Sequence, residues 1–328
     1  MRGDILKKLI EAHAGGDEGA FRKAALQLAA AESAAGHARI ADELRTLVAR
    51  MPVTASRGKL VDIAQPRGEL ADILEGGHRE ERLGDIVLSA ETHDELRRVL
   101  GENRASAALE THGVQPRRRL LFHGPPGCGK TLAAAVIAGE MGLPLMTVRL
   151  AALFSRFLGA TATHLWAVFQ EMPRRPGVYL FDEFDAIGQA RGDAQDVGEM
   201  RRVVTAFLQF IDADRSPSIL VAATNHAELL DRAIFRRFDV VLAFDLPSEA
   251  AITELLTLRL PHGGFSPSFL ASLTSRARGL TFADVARACD DALRSMVLAG
   301  EPAMREQDLV VAIEAAARRA TEQPRSQV

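Results

Sequence analysis

Five short, almost uninterrupted apolar runs alternate with stretches of helical periodicity along the middle of the chain. Each run is flanked by polar or turn-forming residues, and the runs lie at 119–123, 145–150, 178–181, 219–223 and 240–244. Strands that are apolar on both faces are typical of a parallel sheet covered by helices on each side. The pattern therefore predicts an α/β unit with a five-stranded parallel sheet.

No further strand is predicted after Pro247. Four stretches with helical spacing of apolar residues follow, at 248–260, 266–277, 282–299 and 305–320. We therefore expect a separate all-helical lid subdomain over 248–328, after an α/β subdomain over 78–247.

The first 77 residues have a different character. Residues 1–50 show three amphipathic helical faces, which predict a small helical bundle. This bundle is either a packing appendage or a docking region for partners. Residues 51–77 contain Pro52, Pro66 and several glycines, so we interpret them as a linker.

The composition is that of an ordinary globular protein and argues against several other classes. The 328 residues are 47% hydrophobic and 25% charged, as in ordinary globular domains, and the net charge of −3 gives no positive field for nucleic acid or membrane. No run of spanning length and no leader pattern is present, so a cytoplasmic location is expected. Two cysteines are too few for a disulfide framework or a four-ligand zinc site.

The segment after the first of these strands carries the clearest chemistry. It fits the phosphate-binding pattern G-x-x-x-x-G-K-[ST], in which backbone N–H groups surround a phosphate, Lys130 reaches the β- and γ-phosphates and Thr131 offers a hydroxyl to Mg²⁺. Its residues are Gly124, Pro125, Pro126, Gly127, Cys128, Gly129, Lys130 and Thr131. A helix follows directly, which favours anion binding at its N-terminus. We also expect this position to lower the pKa of Cys128 and make the thiol reactive.

Two carboxylates end the predicted strand at 178–181. The carboxyl end of a parallel strand faces the crevice in which ligands bind. Asp182 suits a Mg²⁺ shell, and Glu183 suits polarising a water for attack on a γ-phosphate.

These motifs together resemble those of AAA ATPases of the AAA+ superfamily, over roughly residues 83–300. Gly124–Thr131 resembles the Walker A motif, Asp182–Asp185 the Walker B motif and Ala223–Asn225 sensor 1. The resemblance implies a P-loop NTPase fold that uses ATP and Mg²⁺, with Asn225 helping to hold the attacking water. Asn225 as a simple turn or cap residue is the alternative.

Residues 230–239 resemble the family's arginine-finger segment, which implies that Arg236 and Arg237 reach ATP bound to a neighbouring subunit. Adjacent guanidiniums are also good phosphate ligands on physical grounds. The Pro-Gly pair that separates the two arginines in the most familiar version is missing. Arg237 is therefore the preferred finger, whereas Arg236 is either a second finger or part of an intrasubunit salt bridge. A homo-oligomer, expected to be a hexamer, follows.

The resemblance to the family also suggests which residues contact the adenine base of ATP. Gly84–Val87 resembles the segment that packs on adenine, although a short buried strand would give the same pattern. Thr281 and Asp284 have the spacing of a capping box at the start of a lid helix that packs over nucleotide in relatives. The resemblance implies contacts from Asp85, Ile86, Leu132 and Ala283.

Phe157, Leu158 and Gly159 match the aromatic–hydrophobic–glycine pore loop of AAA unfoldases, which grips polypeptide, but Phe157 as a core residue is the alternative. We therefore expect a ring that remodels or unfolds protein substrates. An ATP-dependent assembly switch or scaffold is the second interpretation, and a DNA-directed loader is disfavoured because no basic stripe is present.

A narrower resemblance is to small bacterial AAA proteins, some of which are associated with subtilisin-like proteases. The chain contains neither H-E-x-x-H nor G-x-S-x-G. Any proteolysis would therefore belong to a separate protease or adaptor, with residues 1–50 as its expected docking region.

Overall fold

The computed structural model describes residues 73–150, 161–187, 194–260 and 264–322, together with the isolated residues 25, 28 and 37. The chain divides into two units at residue 63, and all elements below belong to the second. The predicted helical bundle, most of the predicted linker and the predicted pore loop at Phe157–Gly159 lie outside the described residues.

One six-stranded sheet forms the centre of the second unit. Its strands, in chain order, are β1 Leu74–Gly77, β2 Arg119–His123, β3 Leu145–Arg149, β4 Val178–Asp182, β5 Ile219–Thr224 and β6 Val240–Ala243. The order across the sheet is β1-β3-β4-β5-β2-β6. Strands β2 to β6 are mutually parallel, which confirms the predicted five-stranded parallel sheet.

Strand β1 corrects the prediction that residues 51–77 are all linker. It pairs antiparallel with β3, with Leu74 opposite Val148 and Gly77 opposite Leu145. Its Gly-Gly end is typical of a loop, but an edge strand needs only backbone pairing on one side. Ile73 and Leu74 are buried, and they supply the apolar anchor.

The described residues contain ten α-helices. The α/β subdomain contains α1 Ala90–Arg104, α2 Ser106–Thr111, α3 Lys130–Met141, α4 Thr161–Glu171, α5 Ala194–Ala213 and α6 Arg232–Phe235. The lid contains α7 Glu249–Arg259, α8 Pro267–Arg276, α9 Phe282–Leu298 and α10 Glu306–Glu322. None of these helices is both long enough and apolar enough to cross a membrane.

Helices cover both faces of the sheet because successive strand residues point to opposite sides. Leu180 and Val221 face a cluster built from α1 and the alanine-rich α3. Phe181 and Ala222 face the other cluster, where α5 contributes Phe207 within 5.3 Å of the Phe181 ring centroid. The two apolar layers hold the carboxyl ends of the strands in fixed positions.

The lid confirms the four predicted helical stretches. Ser248, Ser266 and Thr281 accept hydrogen bonds from backbone N–H groups as N-caps of α7, α8 and α9. These caps satisfy donors that a helix leaves unpaired at its start. A third apolar cluster joins the lid helices, and Val87 from the α/β subdomain belongs to it.

Candidate nucleotide site

The predicted motifs meet at the carboxyl edge of the sheet. Strands β4, β5 and β2 are consecutive neighbours, and each is followed by one motif. Pairing runs out at Phe181–Ala222 between β4 and β5 and at His123–Thr224 between β5 and β2. The three motifs, far apart in sequence, therefore leave the sheet side by side.

Glycine is required at the turns of the phosphate loop. Gly124, Gly127 and Gly129 have φ values of 137°, 77° and 99°, which L side chains rarely adopt. A Cβ on Gly124 would overlap the carbonyl oxygen of Phe244, and one on Gly127 would lie 2.8 Å from Thr281 Oγ1. Such left-handed turns before a helix direct successive N–H groups towards an anion.

Lys130 lies at the centre of the site, only 6% exposed. Its Nζ donates to Gly124 O at 2.6 Å, Pro125 O at 2.9 Å and Asn225 Oδ1 at 2.8 Å. An ammonium has three protons, so these acceptors satisfy it. Burial lowers the pKa of Lys130 from its usual value, because desolvation disfavours the charged form.

Thr131 and Asp182 place two oxygen atoms that could bind a metal ion close to each other, next to the phosphate loop. Thr131 Oγ1 donates to Asp182 Oδ2 at 2.9 Å, and Asp182 Oδ1 accepts from the backbone N–H of Glu183 at 2.9 Å. A hydroxyl and a carboxylate next to a phosphate loop are the ligands that Mg²⁺ prefers. The residues present therefore fit the predicted metal position.

Glu183 follows directly and has an unusual backbone. Its φ of 53° is the only positive value at a non-glycine residue in the described part of the chain. The left-handed region costs such residues on the order of 1–3 kcal/mol, and strain of this kind is common at functional sites. The conformation leaves the Glu183 side chain exposed at the strand end.

The two arginines of the predicted finger segment differ in their contacts. Arg237 Nε donates to Asp212 Oδ2 at 3.1 Å, and its Nη1 donates to Ala233 O at 3.4 Å. Arg236 is exposed and makes no ion pair with the described residues. The intrasubunit salt bridge considered for Arg236 is therefore found at Arg237, and α5 supplies the partner that sequence patterns did not reveal.

The start of α9 contacts the phosphate loop directly. The Ala283 N–H donates to Gly127 O at 3.0 Å, and Thr281 and Asp284 form the predicted reciprocal capping box. The lid is thus joined to the loop by a backbone hydrogen bond, and Ala283 is exposed at this junction.

The segment predicted to pack on the adenine base is not a strand. Residues 83–85 form a 3₁₀ helix, Ile86 is buried beside the phosphate loop and the Leu83 N–H donates to Glu140 Oε1 at 3.1 Å. A nearby cavity of about 300 Å³ is lined by residues that include Val87, Cys128, Phe244 and Phe282. The cavity is not lined by the four residues predicted to contact the adenine base, which are Asp85, Ile86, Leu132 and Ala283.

Cys128 does not have the lowered pKa expected from its position. Its side chain is buried, with 2% of the residue exposed, and desolvation raises the thiol pKa despite the attraction of Lys130. The prediction of a reactive thiolate is therefore wrong. Burial against Ile86 and the sheet is a tertiary effect that the local helix position does not convey.

Comparisons with known proteins agree with this geometry. A family model described as "ATPase family associated with various cellular activities (AAA)" matches residues 120–246. The uncharacterized AAA family ATPase y4kL of Sinorhizobium fredii is 39% identical over 328 residues, which cover 99% of this chain and 98% of that protein.

More distant similarity is found to ATP-dependent zinc metalloproteases. FtsH of Burkholderia pseudomallei is 30% identical over 77% of this chain, and FtsH 3 of Sphaerobacter thermophilus is 29% identical over 72%. The aligned regions cover 41% and 49% of those two proteins. The chain belongs to the AAA family of ATPases, so its reaction is the Mg²⁺-dependent hydrolysis of ATP.

Proposed function

We propose that hydrolysis takes place at the carboxyl edge of β2, β4 and β5. The observation that carries this proposal is the set of bonds joining the motifs: Lys130 to Asn225, and Thr131 to Asp182. Lys130 and the loop N–H groups bind the β- and γ-phosphates. Glu183 accepts a proton from the attacking water, and Asn225 orients that water in line with the γ-phosphate.

Thr131 and Asp182 hold Mg²⁺ in this proposal. The bound cation supplies positive charge that offsets the charge developing on the phosphate oxygens. The adenine base of ATP lies against Asp85, Ile86, Leu132 and Ala283 in the same proposal. The hydrogen bond from Ala283 to the phosphate loop supports this placement, because it brings the lid to the same junction.

Replacing Glu183 by Gln tests the catalytic role. The amide keeps the size of the side chain but accepts a proton poorly, so kcat should fall roughly 10²- to 10⁴-fold while ATP affinity is retained. Phosphate release and equilibrium ATP binding measure the two effects. Glu110→Gln, on the exposed surface of α2, is the matched control and should behave as wild type. Full turnover by Glu183→Gln would remove the residue from the mechanism.

We further propose that the ATPase assembles into a ring, expected to be hexameric, in which Arg236 reaches ATP bound to the next subunit. This reverses the order of preference drawn from the sequence, in which Arg237 came first. Its exposure and lack of an ion pair in the described structure support the assignment, since a finger must be available outside its own subunit. Arg237, held by Asp212, then positions this segment. An arginine supplied in trans contributes roughly 10³- to 10⁵-fold to turnover.

Mixing variants distinguishes a shared site from a self-contained one. Arg236→Ala and Glu183→Gln should each be nearly inactive alone. Mixed, they should regain turnover, because some sites then combine an intact Glu183 with an intact Arg236 from another subunit. Arg237→Ala serves as the comparison and should lose less activity than Arg236→Ala. Wild-type turnover by Arg236→Ala, or no recovery on mixing two folded variants, would contradict the proposal.

The work done by the ring is proposed to be remodelling or unfolding of protein substrates, gripped by Phe157, Leu158 and Gly159. Support comes from the position of this motif between β3 and α4 and from the similarity to FtsH proteins. A separate protease or adaptor binding residues 1–50 stays a prediction, as does the cytoplasmic location. An ATP-dependent switch or scaffold is the competing function.

Phe157→Ala separates these two functions. In a threading ring, the variant should keep basal ATP hydrolysis but lose stimulation by an unfolded polypeptide, for which reduced, carboxymethylated lactalbumin is the probe. Phe157→Tyr should retain the stimulation, because an aromatic ring is preserved. Equal stimulation of Phe157→Ala and wild type would exclude this residue from gripping substrate.

A further inference from the structure

Asn225 lies just beyond the last paired residue of β5. Thr224 is the final residue of that strand and is opposite His123 of β2. On the other side, pairing with β4 already stops at Ala222. The sheet therefore does not itself fix the backbone that carries the Asn225 side chain.

Asp185 occupies the space beside this turn. It belongs to the 3₁₀ helix Phe184–Ile187 that follows β4, and it is buried, with 9% exposed. Its Oδ1 accepts two hydrogen bonds, from Thr224 Oγ1 at 3.1 Å and from the Asn225 N–H at 3.3 Å. One carboxylate oxygen thus contacts the last residue of β5 and the residue that follows it.

The Thr224 hydroxyl extends the same network. While donating to Asp185, its oxygen accepts from the His226 N–H at 3.1 Å. Thr224 is fully buried, so both roles of the hydroxyl are used inside the protein. The backbone is consequently held on both sides of Asn225. The Asn225 Oδ1 accepts a hydrogen bond from Lys130 Nζ.

We propose that Asp185 and Thr224 are positioning residues for Asn225. They join the segment after β4, which begins with Glu183, to the turn after β5 that carries Asn225. The proposal rests on the function proposed above for Asn225. A buried carboxylate suits this task, because hydrogen bonds to a charged acceptor are stronger than neutral ones. Nothing in the Walker B pattern alone assigns such a role to its final acid.

Thr224→Val is the most direct test, since it removes the hydroxyl while nearly preserving shape. Loss of a hydrogen bond to a buried charge should reduce kcat about tenfold or more, with ADP affinity within twofold of wild type. Thr224→Ser restores the hydroxyl and should restore kcat. Thr274→Val, a buried threonine whose hydroxyl is bonded to Thr253 in the lid, is the matched control and should leave kcat unchanged.

Hydrogen–deuterium exchange of the nucleotide-free protein gives a readout independent of turnover. In Thr224→Val, amides in a peptide covering residues 219–230 should exchange faster, while those of α7 remain as in wild type. Asp185→Asn keeps an acceptor oxygen and should fall between wild type and Thr224→Val in both measurements.

The results separate this proposal from the one on which it rests. If Asn225→Ala is slow but Thr224→Val keeps wild-type kcat, the positioning proposal is overturned while the role of Asn225 stands. A loss of ADP affinity in parallel with kcat, together with faster exchange throughout the lid, also overturns it, because the effect is then general destabilisation. If Asn225→Ala itself turns over at the wild-type rate, the proposed role of Asn225 is wrong, and the positioning proposal that rests on it is overturned as well.

Discussion

The buried ammonium of Lys130 is the constraint on which the rest of the site depends. A cation withdrawn from water destabilises the fold unless protein acceptors replace its hydration. Here the acceptors are two carbonyls of the phosphate loop and the amide oxygen of Asn225. Satisfying one charge therefore ties the loop after β2 to the turn after β5, and Asp185 ties that turn to the segment after β4.

This dependence explains why sheet order matters for function. Because β4, β5 and β2 are neighbours, the acids, the amide and the phosphate loop converge without long connections. The lid adds its contact to the loop through Ala283 and Gly127. Arg236, which is exposed and forms no ion pair with the described residues, is the group proposed to act on ATP bound to a second copy of the chain.

Local signals predicted much of this arrangement. Apolar runs predicted five of the six strands, and the helical spacing of apolar residues predicted the four lid helices. Strand β1 was missed because edge pairing through the backbone leaves little trace in side chains. The pKa of Cys128 and the pairing of Arg237 with Asp212 depend on residues brought together only by folding. The same holds for Asp185, whose partners lie about 40 positions away.

Equilibrium binding of Mg·ATP to Lys130→Met tests the central claim most directly. Methionine preserves the length and packing of the side chain but carries no charge, and thermal unfolding verifies that the variant is folded. If Lys130 holds the phosphates, affinity should fall on the order of 100-fold, as for loss of a charged hydrogen bond of about 3 kcal/mol. Arg98→Met, which breaks an exposed ion pair on α1, should bind as wild type. Undiminished binding by a folded Lys130→Met would contradict the account.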